Sequence, residues 1–175
     1  MSSLASPERI WWKPLVAEEK LWLRIALIWC VFLFAMMIIW ATGGNQNAPA
    51  ETYRTTPQQF LELTNDFVEK YQVGTDNGIP IVRPPPGDVF LAASTWLWGP
   101  ILELEKGSTY RFHVSSLDLQ HGFSIQPVNL NFQVLPGYIY VITLTPDEAG
   151  EYQIVCNEYC GTGHNLMVGK MIVTE

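Results

Sequence analysis

From Ile25 to Ala41 the chain reads IALIWCVFLFAMMIIWA, without one charged residue. With Leu21, Trp22 and Leu23 ahead of it, the stretch reaches about 20 residues, enough to cross a bilayer core of about 30 Å at 1.5 Å per residue. A chain with such a run must bury it in lipid or lose it. A cleaved signal would carry an apolar core of about 7 to 15 residues ending in small side chains, whereas Met36, Met37, Ile38, Ile39 and Trp40 lead to this boundary. We therefore expect a retained transmembrane helix over 21–42, after a cytoplasmic segment over 1–20. Arg24 marks the boundary, its stem long enough to reach the headgroups.

Arg9, Lys13, Lys20 and Arg24 precede the span, and only Arg54 follows in the next fifteen or so residues. By the positive-inside rule the N-terminus faces the cytoplasm and everything from about Gly43 lies outside. Trp11, Trp12, Trp22 and Trp40 supply interfacial anchors, and Cys30 fills space within the span. Composition excludes two other classes. Ten Lys+Arg against seventeen Asp+Glu, with no basic cluster, leave nothing to neutralise phosphates, so nucleic acid is not a partner. With 48% apolar and 13% aromatic residues the chain is not disordered.

GGNQNAP after the span reads as a flexible linker. Thr56, Pro57 and Gln59 then make a capping-box helix start, and Phe60, Leu63, Phe67 and Tyr71 recur on one helical face. Arg83-Pro84-Pro85-Pro86-Gly87 breaks the chain again, so the expected linker with its short helix spans 43–87 and the compact domain 88–175. In that domain short segments alternate with period two. Tyr110, Phe112 and Val114 interleave with Arg111, His113 and Ser115, and Leu130, Phe132 and Val134 with Asn131 and Gln133. Further strand-like runs are Val89 to Ala92, Leu102 to Glu105, Tyr138 to Leu144, Glu151 to Val155 and Val168 to Thr174. About seven short strands fit a mainly β, two-sheet sandwich with loops free to hold a site at one end. Nine acidic residues against Lys106, Arg111 and Lys170 leave the domain negative, a charge that can steer a basic partner.

Chemistry concentrates in Cys156-Asn-Glu-Tyr-Cys160-Gly-Thr-Gly-His164-Asn-Leu-Met167. Thiolate, imidazole and thioether are soft ligands that favour copper over calcium, magnesium or manganese. Zinc gains little from Met and usually uses paired Cys-x2-Cys knuckles. A blue-copper site takes one Cys and two His. Two thiolates four positions apart can instead bridge two coppers, each needing one imidazole and a weak fourth ligand. The second imidazole must then come from His113 or His121. His113 is mid-strand opposite Phe112 and Val114 and is expected to face solvent, while His121 sits in a loop-like stretch and is the better ligand. Met167 and a backbone carbonyl, that of Glu158, complete the set, and Gly161 and Gly163 let the loop fold tightly. An ordinary external disulfide between Cys156 and Cys160 is the competing reading.

The cluster resembles the dinuclear copper (CuA) domain of subunit II of haem-copper cytochrome c oxidases. The resemblance spans most of the chain: one N-terminal span, a linker, His121-Gly-Phe, Val134-Leu-Pro-Gly137 and the loop from Cys156 to Met167. With one span and a short domain it is most similar to the B-type branch. The resemblance implies a cupredoxin-like β-sandwich with one N-terminal transmembrane helix. It implies two copper ions held by His121, Cys156, Glu158 through its carbonyl, Cys160, His164 and Met167, with haem only in the partner subunit. Electrons from cytochrome c or a small copper protein come in near Trp96 and Trp98, with Asp118 in the donor-docking surface, and leave for haem in subunit I, where oxygen is reduced to water. The chain itself carries no catalytic residue; it is an electron-transfer subunit. It sits in the inner (plasma) membrane by one pass, with its C-terminal domain periplasmic or extracellular. Glu19 resembles a carboxylate at the cytoplasmic mouth of a B-type proton channel. Magnesium on the Glu158 side chain, as in A-type members, is left open. Three rivals are weighed. A membrane-anchored copper chaperone or thiol-disulfide protein would carry its cysteines at the start of a thioredoxin-like domain. Nitrous-oxide reductase needs a large propeller for which 175 residues leave no room. The electron-accepting subunit of a CuA-containing nitric oxide reductase stays open.

Overall fold

The computed structural model describes residues 14–44 and 48–175, so Arg9, Trp11, Trp12 and Lys13, used above for orientation and anchoring, fall outside the described residues. The chain divides into two compact units, one ending at 46 and the other starting at 47. The first is helix α1, Ala17–Gly43. Its 27 residues reach about 40 Å at 1.5 Å per residue, long and apolar enough to cross a membrane. Large apolar side chains from Leu21 to Trp40 are exposed on every side and none is buried by protein, the pattern of a helix solvated by lipid. Glu18 and Glu19 occupy the first turn, where carboxylates offset the exposed N–H groups.

In the second unit β1 (Glu51–Arg54), α2 (Pro57–Tyr71), β2 (Gln72–Asp76) and β3 (Ile79–Val82) come first. They are followed by β4 (Gly87–Ser94), β5 (Leu97–Gly99), β6 (Ile101–Glu105), β7 (Tyr110–Ser116), β8 (His121–Gln126), β9 (Asn131–Val134), β10 (Tyr138–Leu144), β11 (Gly150–Val155) and β12 (Val168–Thr174). One sheet has the order β1-β10-β7-β4-β5, the other β2-β3-β6-β12-β11-β8-β9. Between them lie Val89 and Leu91 of β4, Phe112 and Val114 of β7, Leu102 and Leu104 of β6, Phe123 and Ile125 of β8, Ile154 of β11 and Val173 of β12. This is the mainly β sandwich expected from the alternating runs.

Two expectations change. The segment from 48 to 87, expected as a linker ahead of a domain starting near Asp88, is folded into both sheets. β1 pairs with β10, and β2 and β3 form a hairpin through Asn77-Gly78, whose φ angles of +50° and +84° suit a tight two-residue turn. Helix α2 starts as its capping box requires, the Thr56 hydroxyl accepting from the Gln59 N–H at 3.2 Å and the Gln59 side chain accepting from the Thr56 N–H at 3.1 Å. It then lays Phe60 and Phe67 against Phe90 of β4, at ring distances of 6.2 and 5.6 Å. His113, expected to face solvent, is buried for the same reason. Phe90 stacks on its ring at 4.9 Å, Tyr53 of β1 meets its Nδ1 at 2.7 Å, and Asp88 meets its Nε2 at 2.9 Å.

Because Phe60 is fully buried beside Ala92, Ile139 and Val141, Phe60→Ala should cost about 3–5 kcal/mol of domain stability. Denaturant unfolding of the full chain in detergent measures it. A loss below about 0.5 kcal/mol, as for a surface position, would mean that α2 is not part of the domain.

Candidate metal centre

Strands β11 and β12 pair up to Val155 opposite Val168, so the residues between them, 156–167, form a loop pinned at its base by that pair and by the Cys156 N–H donating to the Met167 carbonyl at 3.2 Å. Inside the loop a single 3-10 turn, His164–Leu166, begins after Gly163, and the His164 N–H donates to the Gly161 carbonyl at 3.1 Å. Gly161 has a φ of +110°, and a Cβ on Gly163 would overlap the Trp96 indole. Both positions therefore demand glycine. Trp96 lies against this part of the loop and donates its Nε1–H to the Cys160 carbonyl at 3.0 Å.

The loop brings the two sulfurs to 3.6 Å, and both cysteines are free. A disulfide needs about 2.05 Å, so the competing reading of an ordinary bridge does not describe this fold. Cys156 Sγ has His121 Nδ1 at 3.9 Å and the Glu158 carbonyl at 3.3 Å. Cys160 Sγ has His164 Nδ1 at 3.6 Å and Met167 Sδ at 3.8 Å. His121, Cys156, Cys160 and Met167 are all at most 3% exposed, and the ligand atoms of the first three lie within 4.8 Å of one another. All six residues singled out in the sequence thus converge. Two thiols, two imidazole nitrogens, a thioether and a carbonyl make a soft donor set, which suits copper and not a hard cation.

His121 is the first residue of β8 and not part of a loop, so its backbone is fixed by pairing with Val134 of β9. Its ring is fixed by Asp118, whose Oδ1 meets Nε2 at 2.9 Å while Nδ1 faces the sulfurs. The Asp118 carboxylate also accepts from the Thr95 N–H at 2.6 Å, from the Thr95 hydroxyl, and from the Leu119 N–H at 2.6 Å. Burial alone would raise its pKa; the hydrogen bonds from Thr95, His121 and Leu119 outweigh burial and hold it at about 2. Asp118, expected in the donor-docking surface, is an exposed residue whose two oxygens also accept hydrogen bonds within the domain. Its contact with His121 is signalled in sequence only by the three-residue spacing.

Trp96 and Trp98 go to different places because Trp96 stands in the turn between β4 and β5, whereas Trp98 is the middle residue of β5. Trp96 is 39% exposed over the loop, whereas Trp98 is buried, edge-on to His121 at 6.2 Å and to Phe123 at 5.4 Å, with its indole N–H unpaired. The Glu158 side chain accepts from Gln133 Nε2 at 3.2 Å. Glu19 belongs to α1, where its carboxylate accepts from the Val16 N–H at 3.0 Å.

The geometry defines a cupredoxin-like domain with a soft-metal loop, carried behind a membrane-spanning helix. The family profile for cytochrome c oxidase subunit II, periplasmic domain, matches residues 101–174. Cytochrome c oxidase subunit 2 of Thermus thermophilus is 30% identical over 166 residues, covering 93% of this chain and 95% of that protein. A subunit in a cryo-EM structure of a heme-copper terminal oxidase dimer superposes with a TM-score of 0.57 at 26% identity, over 90% of this chain and 99% of that one. Rusticyanin from Thiobacillus ferrooxidans, at 18% identity and a TM-score of 0.52 over 71% of this chain and 97% of that one, shares the fold. The chain belongs to the cytochrome c oxidase subunit II family: a membrane-anchored electron-transfer subunit of an oxidoreductase complex.

Replacing Asp118 with Ala frees the His121 ring and should weaken copper binding by about 10- to 100-fold, the usual cost of losing the group that orients a ligand. Competitive titration against a chelator measures it, and unchanged affinity would contradict the assigned support. A second expectation concerns pH. In the metal-free chain burial pushes the Cys160 thiol from 9.0 up to about 11, with the hydrogen bond and charge of Cys156 adding to it. A folded pKa above the unfolded one means this contribution to stability is complete below about pH 9 and lost as pH climbs through about 11. Metal binding must displace such protons. Copper uptake should therefore tighten as pH rises and release protons, counted by calorimetry in buffers of different ionisation enthalpy. Uptake without proton release would contradict the thiol ligands.

Proposed function

We propose that the chain is the electron-accepting subunit of a terminal haem-copper oxidase. Cys156, Cys160, His121, His164, Met167 and the Glu158 carbonyl would hold two copper ions, and such a centre stores and releases one electron at a time. The observation that carries this reading is the unbonded pair of sulfurs at 3.6 Å, each with an imidazole nitrogen within 4 Å. The protein's part is to keep these donors in place in both oxidation states. β8 and Asp118 fix His121, the paired ends of β11 and β12 fix the loop, and Trp96 braces Cys160. Donors that cannot move cost little reorganisation when charge changes, which allows transfer over a small driving force.

Trp96, partly exposed and hydrogen-bonded to a ligand residue, is the side chain through which we route uptake from cytochrome c or a similar small donor. From there the electron would pass to haem in subunit I, where oxygen would be reduced. Lys20 and Arg24 at the start of α1, with Arg9 and Lys13 before it, set the N-terminus in the cytoplasm and the copper domain on the periplasmic side. Purified full-length chain should bind two coppers and show an electron shared between them, and Cys156→Ser should abolish that signature. One copper per chain, or a Cys156→Ser spectrum like the parent's, would contradict the reading. In the whole complex, steady nitric oxide turnover with negligible oxygen uptake would replace oxygen as the acceptor.

A further inference from the structure

β9 is an edge strand, and its register with β8 sets Gln133 opposite Gly122 and Asn131 opposite Ser124. Directly paired residues share a face, so Gly122, Asn131 and Gln133 line one surface. Across it lies the start of the metal loop. A Cβ on Gly122 would overlap the Asn157 side chain and come within 2.8 Å of the Glu158 nitrogen, so these two residues rest on bare backbone. Each is then tied down separately. Asn157 Nδ2 donates to Asn131 Oδ1 at 2.9 Å, and Gln133 Nε2 donates to Glu158 Oε1 at 3.2 Å. The Glu158 side chain is thereby drawn toward β9 while its carbonyl faces Cys156 Sγ at 3.3 Å.

We propose that Asn131 and Gln133 are positioning residues that set how the Glu158 carbonyl reaches the metal centre, and through it the reduction potential. The proposal rests on the copper assignment above. Exposed polar side chains on an edge strand ordinarily serve to discourage pairing with other chains. That role needs no particular partner, whereas here two amides on one face grip two consecutive loop residues over a glycine floor. A neutral carbonyl would be a weak donor to a soft metal, and such a donor would tune potential through small changes in reach. Using the Glu158 carboxylate as an internal strut also commits it within this chain.

The test compares full-length chain in detergent with Asn131→Leu, Gln133→Leu, Asn131→Asp and Gln133→Lys. The Leu variants remove the grip; Asp keeps an acceptor for Asn157 and Lys keeps a donor for Glu158. Both Leu variants should keep the parent's copper content but shift the reduction potential and the copper hyperfine splitting, and both conservative variants, whose added charge itself moves the potential, should restore the hyperfine splitting. In metal-free chain the Glu158 and Tyr159 amides should exchange about five-fold faster in the Leu variants, the worth of one hydrogen bond. Leu variants that match the parent in potential and exchange overturn the proposal, as do conservative variants that fail to restore. A parent chain that binds fewer than two coppers would instead sink the copper assignment, and amide exchange would still decide the grip.

Discussion

Two sulfur atoms 3.6 Å apart with no bond between them are the constraint on which the rest of the domain depends. Under oxidising conditions a pair of thiols at this spacing tends to close into a disulfide, which needs about 2.05 Å and a different side-chain geometry. The fold instead anchors each cysteine to a separate support. Cys156 follows directly from β11 and is tied by its N–H to the carbonyl of Met167, the residue just before β12. Cys160 is held through its carbonyl by Trp96, from the other sheet.

The β4–β5 hairpin serves both sides of the site. Its Thr95 binds Asp118, which orients His121, and its Trp96 binds Cys160. Both ligand walls therefore hang from two adjacent residues of one turn, so a displacement of that turn would disturb them together. The turn is itself seated on β4, the strand that α2 covers through Phe90. Burial of α2 thus supports the strand from which that turn hangs.

Much of the centre was legible in the sequence because its chemistry is local. Cys156, Glu158, Cys160, His164 and Met167 sit within one loop, and soft donors packed that densely point to a soft metal and little else. His121 was reachable by elimination among three histidines, and the structure sharpens the choice: His113 is committed to Tyr53 and Asp88. The supports were not legible because they depend on pairing between distant segments. β8 shows no alternation, since the Asn157–Glu158 segment covers its second face and all but its last residue is buried. The segment before Asp88 reads as a linker because β1 is four exposed residues whose only claim to a sheet is the edge of β10. Asn77-Gly78 within it is a strong hairpin signal, and it forms the β2–β3 turn. The apolar span was plain from composition, and α1 begins a turn earlier than expected because Glu18 and Glu19 suit a helix start.

X-ray absorption at the copper edge of the purified chain tests the shared-sulfur arrangement most directly, because it reports the neighbours of each metal without relying on turnover. The account predicts that each copper sees two sulfurs and one imidazole at bonding distance, with a second copper just beyond them. A single sulfur with two imidazoles and no metal neighbour would contradict it.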